Sequence, residues 1–153
     1  MKFTSPPLTQ SAPTIEAFGG EAGLRRVITD LYDRIFRDPM ISYLFAGKDP
    51  QTLIEREIEW TAKALGAPVK YQGRSMAQVH QKHPIRRGHF HRRNELLDQA
   101  MAAQQLPEHC VHWWRAHSRA LESAILGKAR IDQRCEQTAN QSEKSESPLW
   151  TSS

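Results

Sequence analysis

Apolar residues recur every three or four positions in four separate segments of the chain, and no segment alternates with a period of two. The segments run from Glu21 to Phe36, from Pro50 to Leu65, from Gly88 to Gln104 and from Pro107 to Gly127. A spacing of three and four places apolar residues on one side of an α-helix, whereas a half-buried strand needs alternation. The sequence therefore predicts an all-α fold of long helices without strands.

Helix boundaries are marked by proline, glycine and capping residues. Asp38-Pro39 ends the first helix, and Asp49-Pro50 supplies an N-cap followed by proline at the first helical position. Thr14 is placed to cap a short turn that Gly19-Gly20 breaks before the first helix. The loop after the first helix carries large apolar residues that we expect to face the interior: Met40, Ile41, Tyr43, Leu44 and Phe45.

The two ends of the chain differ in composition from the helical segments. Residues 1–13 contain three of the nine prolines together with Ser, Thr and Gln, and residues 128–153 show no apolar period. Such segments cannot bury enough apolar surface to fold. The hydrophobic content of 39% is enough for one core. We therefore expect one domain over 14–127, between a disordered lead-in (1–13) and a disordered polar tail (128–153).

Membrane, secretion and nucleic-acid roles find no support in the sequence. Nowhere do 18 apolar residues stand together, and the N-terminal residues contain no apolar run of signal-peptide length. Cys110 and Cys135 form no C-x-x-C pair, which favours a reducing cytoplasm. Basic residues cluster from Lys82 to Arg93, but Phe90 is the only aromatic residue among them, so we expect no nucleic-acid partner.

A short helix is predicted around His80, and its apolar edge must pack against another surface. Met76 and Val79 form its apolar edge, and Pro84 ends it after about two turns. These residues alone leave three interpretations open. His80 is a structural histidine, or it is the axial ligand of a haem. The third interpretation is a zinc or nickel site in which His80 acts with His83, His89 and His91.

Several motifs follow one another along the chain: Gly19-Gly20, LYDRIF with Tyr32, RDPMISYLFAG with Phe45, ALGAP, YQGRSMAQVHQ with His80, Ile85, and the pair His89-Phe90. Their order and spacing resemble those of the truncated haemoglobins, the shortened two-over-two globins, from about Ile15 to Leu126. The N-terminal half of this matched region is similar to the first group of that family. HPIRRGHFHRR is similar to the third group, whose members usually carry tryptophan where this chain has Arg93.

The resemblance implies a truncated globin fold, a two-over-two helical sandwich around one haem b. It makes His80 the proximal iron ligand, Tyr32 the distal donor that stabilises bound oxygen, and Phe45 an aromatic wedge against the haem. Other residues match positions in the wall of the haem pocket: Leu53, which lies on the distal side, Trp60, Met76, Val79, Ile85 and Phe90. Arg56 and Tyr71 match positions near the haem propionates. Arg74 is added to these two because of its charge alone.

Two charged residues depart from the family pattern. Glu57 stands where the family commonly has Gln, Trp or another residue that contacts the ligand, and Arg93 stands at a pocket position that is normally apolar or tryptophan. Burying either charge alone is costly, but a hydrogen-bonded pair is tolerable. We therefore hypothesise that Glu57 and Arg93 pair on the distal side. The alternatives are that both side chains turn to water or that Arg93 reaches a propionate.

The resemblance implies a haem-binding globin that binds oxygen, nitric oxide or carbon monoxide, for oxygen binding and transport or for nitric oxide and redox handling. Nitric oxide dioxygenation would need a reductase, and a carboxylate beside the ligand would favour iron oxidation or peroxidase-like chemistry. The alternative is a haem-free globin scaffold that acts as a sensor or interaction module, because two charges occupy the expected pocket. The sequence leaves the oligomeric state open.

Overall fold

The computed structural model describes residues 12–68, 85–122 and 125–126. Within these ranges the chain forms four α-helices: α1 (Gly20–Arg37), α2 (Pro50–Ala64), α3 (Arg87–Ala103) and α4 (108–122, with 125–126 also helical). Two short 3-10 turns, Ile15–Phe18 and Ser42–Phe45, precede α1 and α2. The described ranges contain no strand. The prediction of an all-α fold is therefore confirmed, with helix starts within one or two residues of the predicted ones.

Helix α1 is the scaffold on which the other elements are arranged. It contacts α2, α3 and both 3-10 turns. Its buried stripe consists of the residues that the helical period predicts: Leu24, Val27, Ile28, Leu31 and Ile35. Because burying one such aliphatic side chain contributes about 1.5–3 kcal/mol, this stripe is a large part of the core.

The chain enters α1 through a turn that only glycine permits. Gly19 has a φ of 89°, in the left-handed region. A Cβ on Gly23 would lie 1.8 Å from the carbonyl oxygen of Phe18, so the turn packs directly on the helix backbone. Thr14 occupies the N-cap position of the turn, but its side chain makes no capping hydrogen bond, and the predicted cap is wrong in that respect.

Asp38 closes α1 and joins it to α3. Its carboxylate accepts hydrogen bonds from the backbone N–H of Met40 at 3.0 Å and from Nε and Nη2 of Arg92 at 2.9 and 2.7 Å. The hydrogen bonds from Arg92 are the main reason why the pKa of Asp38 lies below its ordinary value. Asp38 is buried, and the guanidinium of Arg92, which donates twice to Oδ2, compensates its charge.

The apolar loop after α1 is only partly interior. Ile41 is buried, and Leu44 and Phe45 are half-buried, but Met40 and Tyr43 are 57% and 61% exposed. The expectation that all five side chains face the interior is therefore wrong for Met40 and Tyr43. Met40 lies in the turn that precedes the 3-10 segment Ser42–Phe45, and that segment, with three residues per turn, directs only some of its side chains toward the core.

Helices α3 and α4 run antiparallel, and ion pairs near both ends set their register. Arg115 Nε donates to Asp98 Oδ1 at 2.8 Å. Toward the other end, Glu122 lies 3.6 Å from Arg87 and 3.7 Å from His91. Residues late in α3 are thus level with residues early in α4.

Helix α4 completes the core through Trp114 and Cys110. Trp114 is fully buried, and its ring meets Phe18 edge-on with centroids 5.8 Å apart. The Cys110 thiol donates to the carbonyl oxygen of Ala17 at 3.5 Å, and burial raises the pKa of this thiol. Cys110 is thus a packing residue rather than a nucleophile.

Candidate functional site

Tyr32 and Phe45 are brought together by α1 and the second 3-10 turn. Tyr32 is only 8% exposed, and its ring meets that of Phe45 edge-on, with centroids 6.3 Å apart and planes at 87°. Phe45 also contacts Phe36 at 6.0 Å. Edge-to-face contact is a favoured arrangement of aromatic rings, and it fixes the direction of the tyrosine ring.

Glu57 on α2 and Arg93 on α3 form an ion pair through Oε1 and Nη2. Their side chains are 11% and 24% exposed, so water has little access to either charge. Nη1 of Arg93 additionally lies 3.4 Å from Oδ1 of Asn94. The ion pair predicted between Glu57 and Arg93 is present, and the alternative in which both side chains turn to water is wrong. The location of this pair on the distal side of a haem stays a prediction.

A third titratable group near this pair is His117 on α4, to which the sequence assigned no role. Burial is the main reason why its pKa lies below the ordinary value; Arg93 lowers it further, and Glu57 raises it. The position is three residues after Trp114 and four before Leu121, so it falls at the margin of the buried stripe of α4, and His117 is half-buried. That register is the signal that would have found it.

The predicted wall residues within the described ranges lie in the core or at its margin: Phe90 is buried, and Phe45, Leu53, Trp60 and Ile85 are half-buried. Arg56, predicted near the propionates, lies 3.3 Å from Glu59 of the same helix. The remaining predicted residues lie outside the described ranges: Tyr71, Arg74, Met76, Val79 and His80, together with His83 of the alternative metal site.

The histidine that precedes Phe90 is engaged at both ring nitrogens. Nδ1 of His89 accepts from the backbone N–H of Arg86 at 3.2 Å, and Nε2 lies 2.9 Å from the Tyr43 hydroxyl. Because Nδ1 accepts, the proton of the neutral ring is on Nε2, which donates to Tyr43. Within the described part of the chain, no three His, Cys, Asp or Glu residues come together as a metal site.

Three arginines of the basic cluster are engaged with carboxylates. Arg87 lies 3.6 Å from Glu122, Arg92 pairs with Asp38, and Arg93 pairs with Glu57. Their charges therefore serve contacts within the fold.

Residues 14–126 match the family described as bacterial-like globin. The chain belongs to this family. A group 1 truncated hemoglobin, GlbN of Mycolicibacterium paratuberculosis, is 32% identical to it over 102 residues, which are 67% of this chain and 75% of the relative. A group 1 truncated hemoglobin of Tetrahymena thermophila is 24% identical over 79 residues, 51% of this chain and 65% of that protein.

Solved structures show the same fold. The truncated hemoglobin of Tetrahymena pyriformis in its Fe(III) form aligns with a TM-score of 0.65 at 18% identity, over 72% of this globin and 94% of that chain. The 2/2 hemoglobin of Synechococcus, in the cyanomet state with covalently attached heme, gives 0.68 at 18% identity, over 74% and 97%. The globin is thus a truncated, two-over-two haemoglobin, and the predicted family is confirmed.

Haem b is the cofactor of such a globin, and the described residues fit it. Phe45 and Leu53 pack against the core on one side yet stay half-buried, as expected for walls that a flat apolar macrocycle covers. Tyr32 is buried, and a tyrosine hydroxyl is a hydrogen-bond donor of the kind that a polar diatomic ligand needs. In the described residues, no helix has the length and apolar character needed to span a membrane.

Proposed function

We propose that this globin binds its haem through His80 and receives oxygen or another diatomic ligand on the side of Tyr32, Leu53, Glu57 and Arg93. The observation that supports this most is the burial of Tyr32 in the core, together with a Glu57–Arg93 ion pair whose side chains are only 11% and 24% exposed. Polar and charged groups are costly to bury, and groups of this kind cluster at functional sites. Haem, when bound, supplies an iron atom with an open position for the ligand.

The side chains on this side differ in what they offer the ligand. Tyr32 offers an O–H donor, and its edge-on contact with Phe45 keeps the ring in place. An ionised Glu57 carboxylate only accepts hydrogen bonds, so it cannot donate to a ligand. Its ion pair with Arg93 occupies that carboxylate and holds the guanidinium on α2. While this pair is intact, Tyr32 is therefore the donor that this side offers the ligand.

The haem itself would be held by apolar walls and a cationic rim. The proposed walls are Phe45, Leu53, Trp60, Met76, Val79, Ile85 and Phe90, and the proposed rim is Arg56, Tyr71 and Arg74. Arg56 fits this role because its side chain is 42% exposed and its contact with Glu59 is a surface pair. Such pairs contribute about 0–1 kcal/mol, so the guanidinium is free to turn to a propionate.

The decisive test is the absorption spectrum of the purified protein. We expect a Soret band that His80→Ala abolishes and that the matched variant His83→Ala, three residues away, retains. If His83→Ala loses the band and His80→Ala retains it, the proximal ligand is His83 and not His80. A colourless protein that cannot be reconstituted with haem would contradict the proposal and favour the haem-free sensor or interaction module.

The distal role of Tyr32 is tested with a second tyrosine as control. Losing a hydrogen bond to a ligand that carries partial charge corresponds to about 1.5–3 kcal/mol, so Tyr32→Phe should accelerate oxygen dissociation about tenfold to hundredfold. Tyr43→Phe, at a residue that is 61% exposed, should leave the rate unchanged. Equal rates in wild type and Tyr32→Phe, measured by stopped flow, would remove Tyr32 from the site.

We further propose that the protein works in the cytoplasm and that a reductase supplies electrons where the ligand is turned over. The absence of paired cysteines supports this compartment. Conversion of nitric oxide to nitrate that depends on a reducing partner would establish dioxygenation. Reversible oxygen binding with no nitrate formed would establish carriage.

A further inference from the structure

The register of α3 and α4 places His117 beside the Glu57–Arg93 pair. The contacts of Arg115 with Asp98 and of Glu122 with His91 bracket this part of α4. His117 is then level with Leu96, and Arg93 lies one turn earlier on the same side of α3. Of the described residues, Arg93 on α3 and Glu57 on α2 are the charged groups that act on the imidazole.

The His117 ring stacks on an aromatic neighbour, and its Nε2 has no hydrogen-bond partner among the described residues. The ring stacks on Trp113 with centroids 4.9 Å apart and planes at 7°. Nε2 is buried, and no described residue hydrogen-bonds to it. A buried polar atom without a partner is rare in native proteins and calls for an explanation. When this ring takes up a proton, both of its nitrogens are donors, and the Glu57 carboxylate is the nearby charged acceptor.

We propose that His117 is a positioning residue for this pair: when its ring takes up a proton, Glu57 moves from Arg93 to His117, and the freed guanidinium turns toward the ligand. This inference rests on the proposed function, because the ligand must lie on the Glu57–Arg93 side of the haem. The direction follows from charge alone. An imidazolium attracts the carboxylate of Glu57 and repels the guanidinium of Arg93.

The exchange of partners should make ligand dissociation depend on pH in the acid range. Burial and Arg93 both disfavour the charged ring, so the step should lie below the ordinary histidine pKa of about 6.5. Above the step, Glu57 holds Arg93. Below it, Arg93 gains a hydrogen bond to the ligand, and dissociation slows about two- to tenfold, the factor that one net hydrogen bond provides.

The first arm of the test follows the His117 ring by NMR titration of the ferrous, carbon monoxide-bound protein. We expect Glu57→Gln to lower the pKa of His117 and Arg93→Leu to raise it, since these residues act on the ring with opposite sign. A fold defect alone would not produce opposite shifts. An unchanged His117 pKa in both variants would overturn the proposal, whatever the function of the haem.

The second arm measures oxygen dissociation from pH 5 to 8. The acid step should be present in wild type and in His112→Phe, an exposed histidine of the same helix. It should vanish in His117→Phe, which keeps an aromatic ring against Trp113, and in His117→Gln, which serves if the first variant is poorly folded. A step that persists without His117 would overturn the proposal. The absence of a Soret band from the wild-type protein would instead contradict the proposed function. Failure of the proposed function and failure of this inference therefore give different results.

Discussion

At the scale of single residues, the informative positions are charges that interrupt an apolar stripe. Glu57 lies four residues from both Leu53 and Thr61, and Arg93 lies between Phe90 and Leu97 at helical spacing. When two residues of opposite charge occupy the apolar stripes of two different helices, we expect them to form an ion pair, because each charge alone is costly to bury. His117 obeys the same logic, but a neutral ring is less conspicuous in a sequence than a charge, and its neighbours on α2 and α3 are distant in the chain.

The coupling between Glu57 and Arg93 is measurable as a double-mutant cycle. Arg93→Leu strands a largely buried carboxylate and should lower the free energy of unfolding by about 3 kcal/mol, whereas the double variant Glu57→Gln, Arg93→Leu should lose less than the sum of the single losses. Oxygen dissociation should be non-additive in the same three variants. Urea titration and stopped-flow mixing supply the two data sets.

The control for this cycle is the pair Arg56 and Glu59 on α2, which is more exposed. Its coupling should stay below about 1 kcal/mol, as for surface pairs in general. Additive effects at Glu57 and Arg93 would mean that the ion pair makes no net contribution to stability or ligand retention.

At the scale of elements, the helices were predictable and the turns were not. The period of three and four located α1 to α4, and Asp49 caps α2 as expected, accepting a hydrogen bond from the backbone N–H of Thr52 at 3.1 Å. Hydrophobicity alone misplaced Met40 and Tyr43, because a turn followed by a 3-10 segment of four residues is too short to have a periodic signal. The hydrogen-bonded ion pair of Asp38 and Arg92 joins residues that are 54 positions apart in the sequence, so no local sequence pattern predicts it.

The turn that enters α1 makes Gly23 intolerant of any side chain. Gly23→Ala would place Cβ 1.8 Å from a backbone oxygen, which must then move. We expect a loss of about 1–3 kcal/mol, the usual cost of overpacking, read from thermal or urea unfolding. Gly88→Ala in the first turn of α3 is the matched control, because its Cβ would meet nothing within 4 Å. That variant should gain about 0.4–1 kcal/mol; equal effects at both glycines would refute the close approach.

The link between α1 and α3 through Asp38 and Arg92 should be visible in the pH dependence of stability. Arg92→Leu leaves the buried Asp38 carboxylate without its cation and should cost about 2–3 kcal/mol at pH 7. Since the pKa of folded Asp38 is lowered, its stabilising effect is complete above pH of about 4 and is lost as the pH falls through the folded-state pKa. The difference between wild type and variant should therefore shrink in acid.

Arg37→Leu serves as the control for this link. Arg37 and Asp33 form an exposed pair on the same helix at 3.2 Å, with side chains 79% and 57% exposed. Its replacement should change the free energy of unfolding by less than about 1 kcal/mol at every pH. A gap between wild type and Arg92→Leu that stays constant down to pH 2 would show that Asp38 is not the responsible carboxylate.

At the scale of the whole molecule, one core unites segments from both ends of the globin. Phe18 precedes α1, and it meets Trp113 and Trp114 of the last helix edge-on at 5.7 and 5.8 Å. The family match ends at residue 126, and Leu126 is buried. Composition predicts a boundary next to this residue, because the polar residues after 127 show no apolar period. The domain limits 14–127 remain a prediction that truncation can test.

A chain that stops after Gly127 should keep the Soret band and unfold within about 0.5 kcal/mol of the full chain, the range of changes that touch no packed feature. A chain that stops after Ala120 loses Leu126 from the core, and removing one such buried leucine costs about 2–5 kcal/mol. Leu126→Ala in the full chain separates the loss of this side chain from the loss of helix length. If the chain ending at Gly127 is as unstable as the one ending at Ala120, residues 128–153 contribute to the fold and the predicted boundary is wrong.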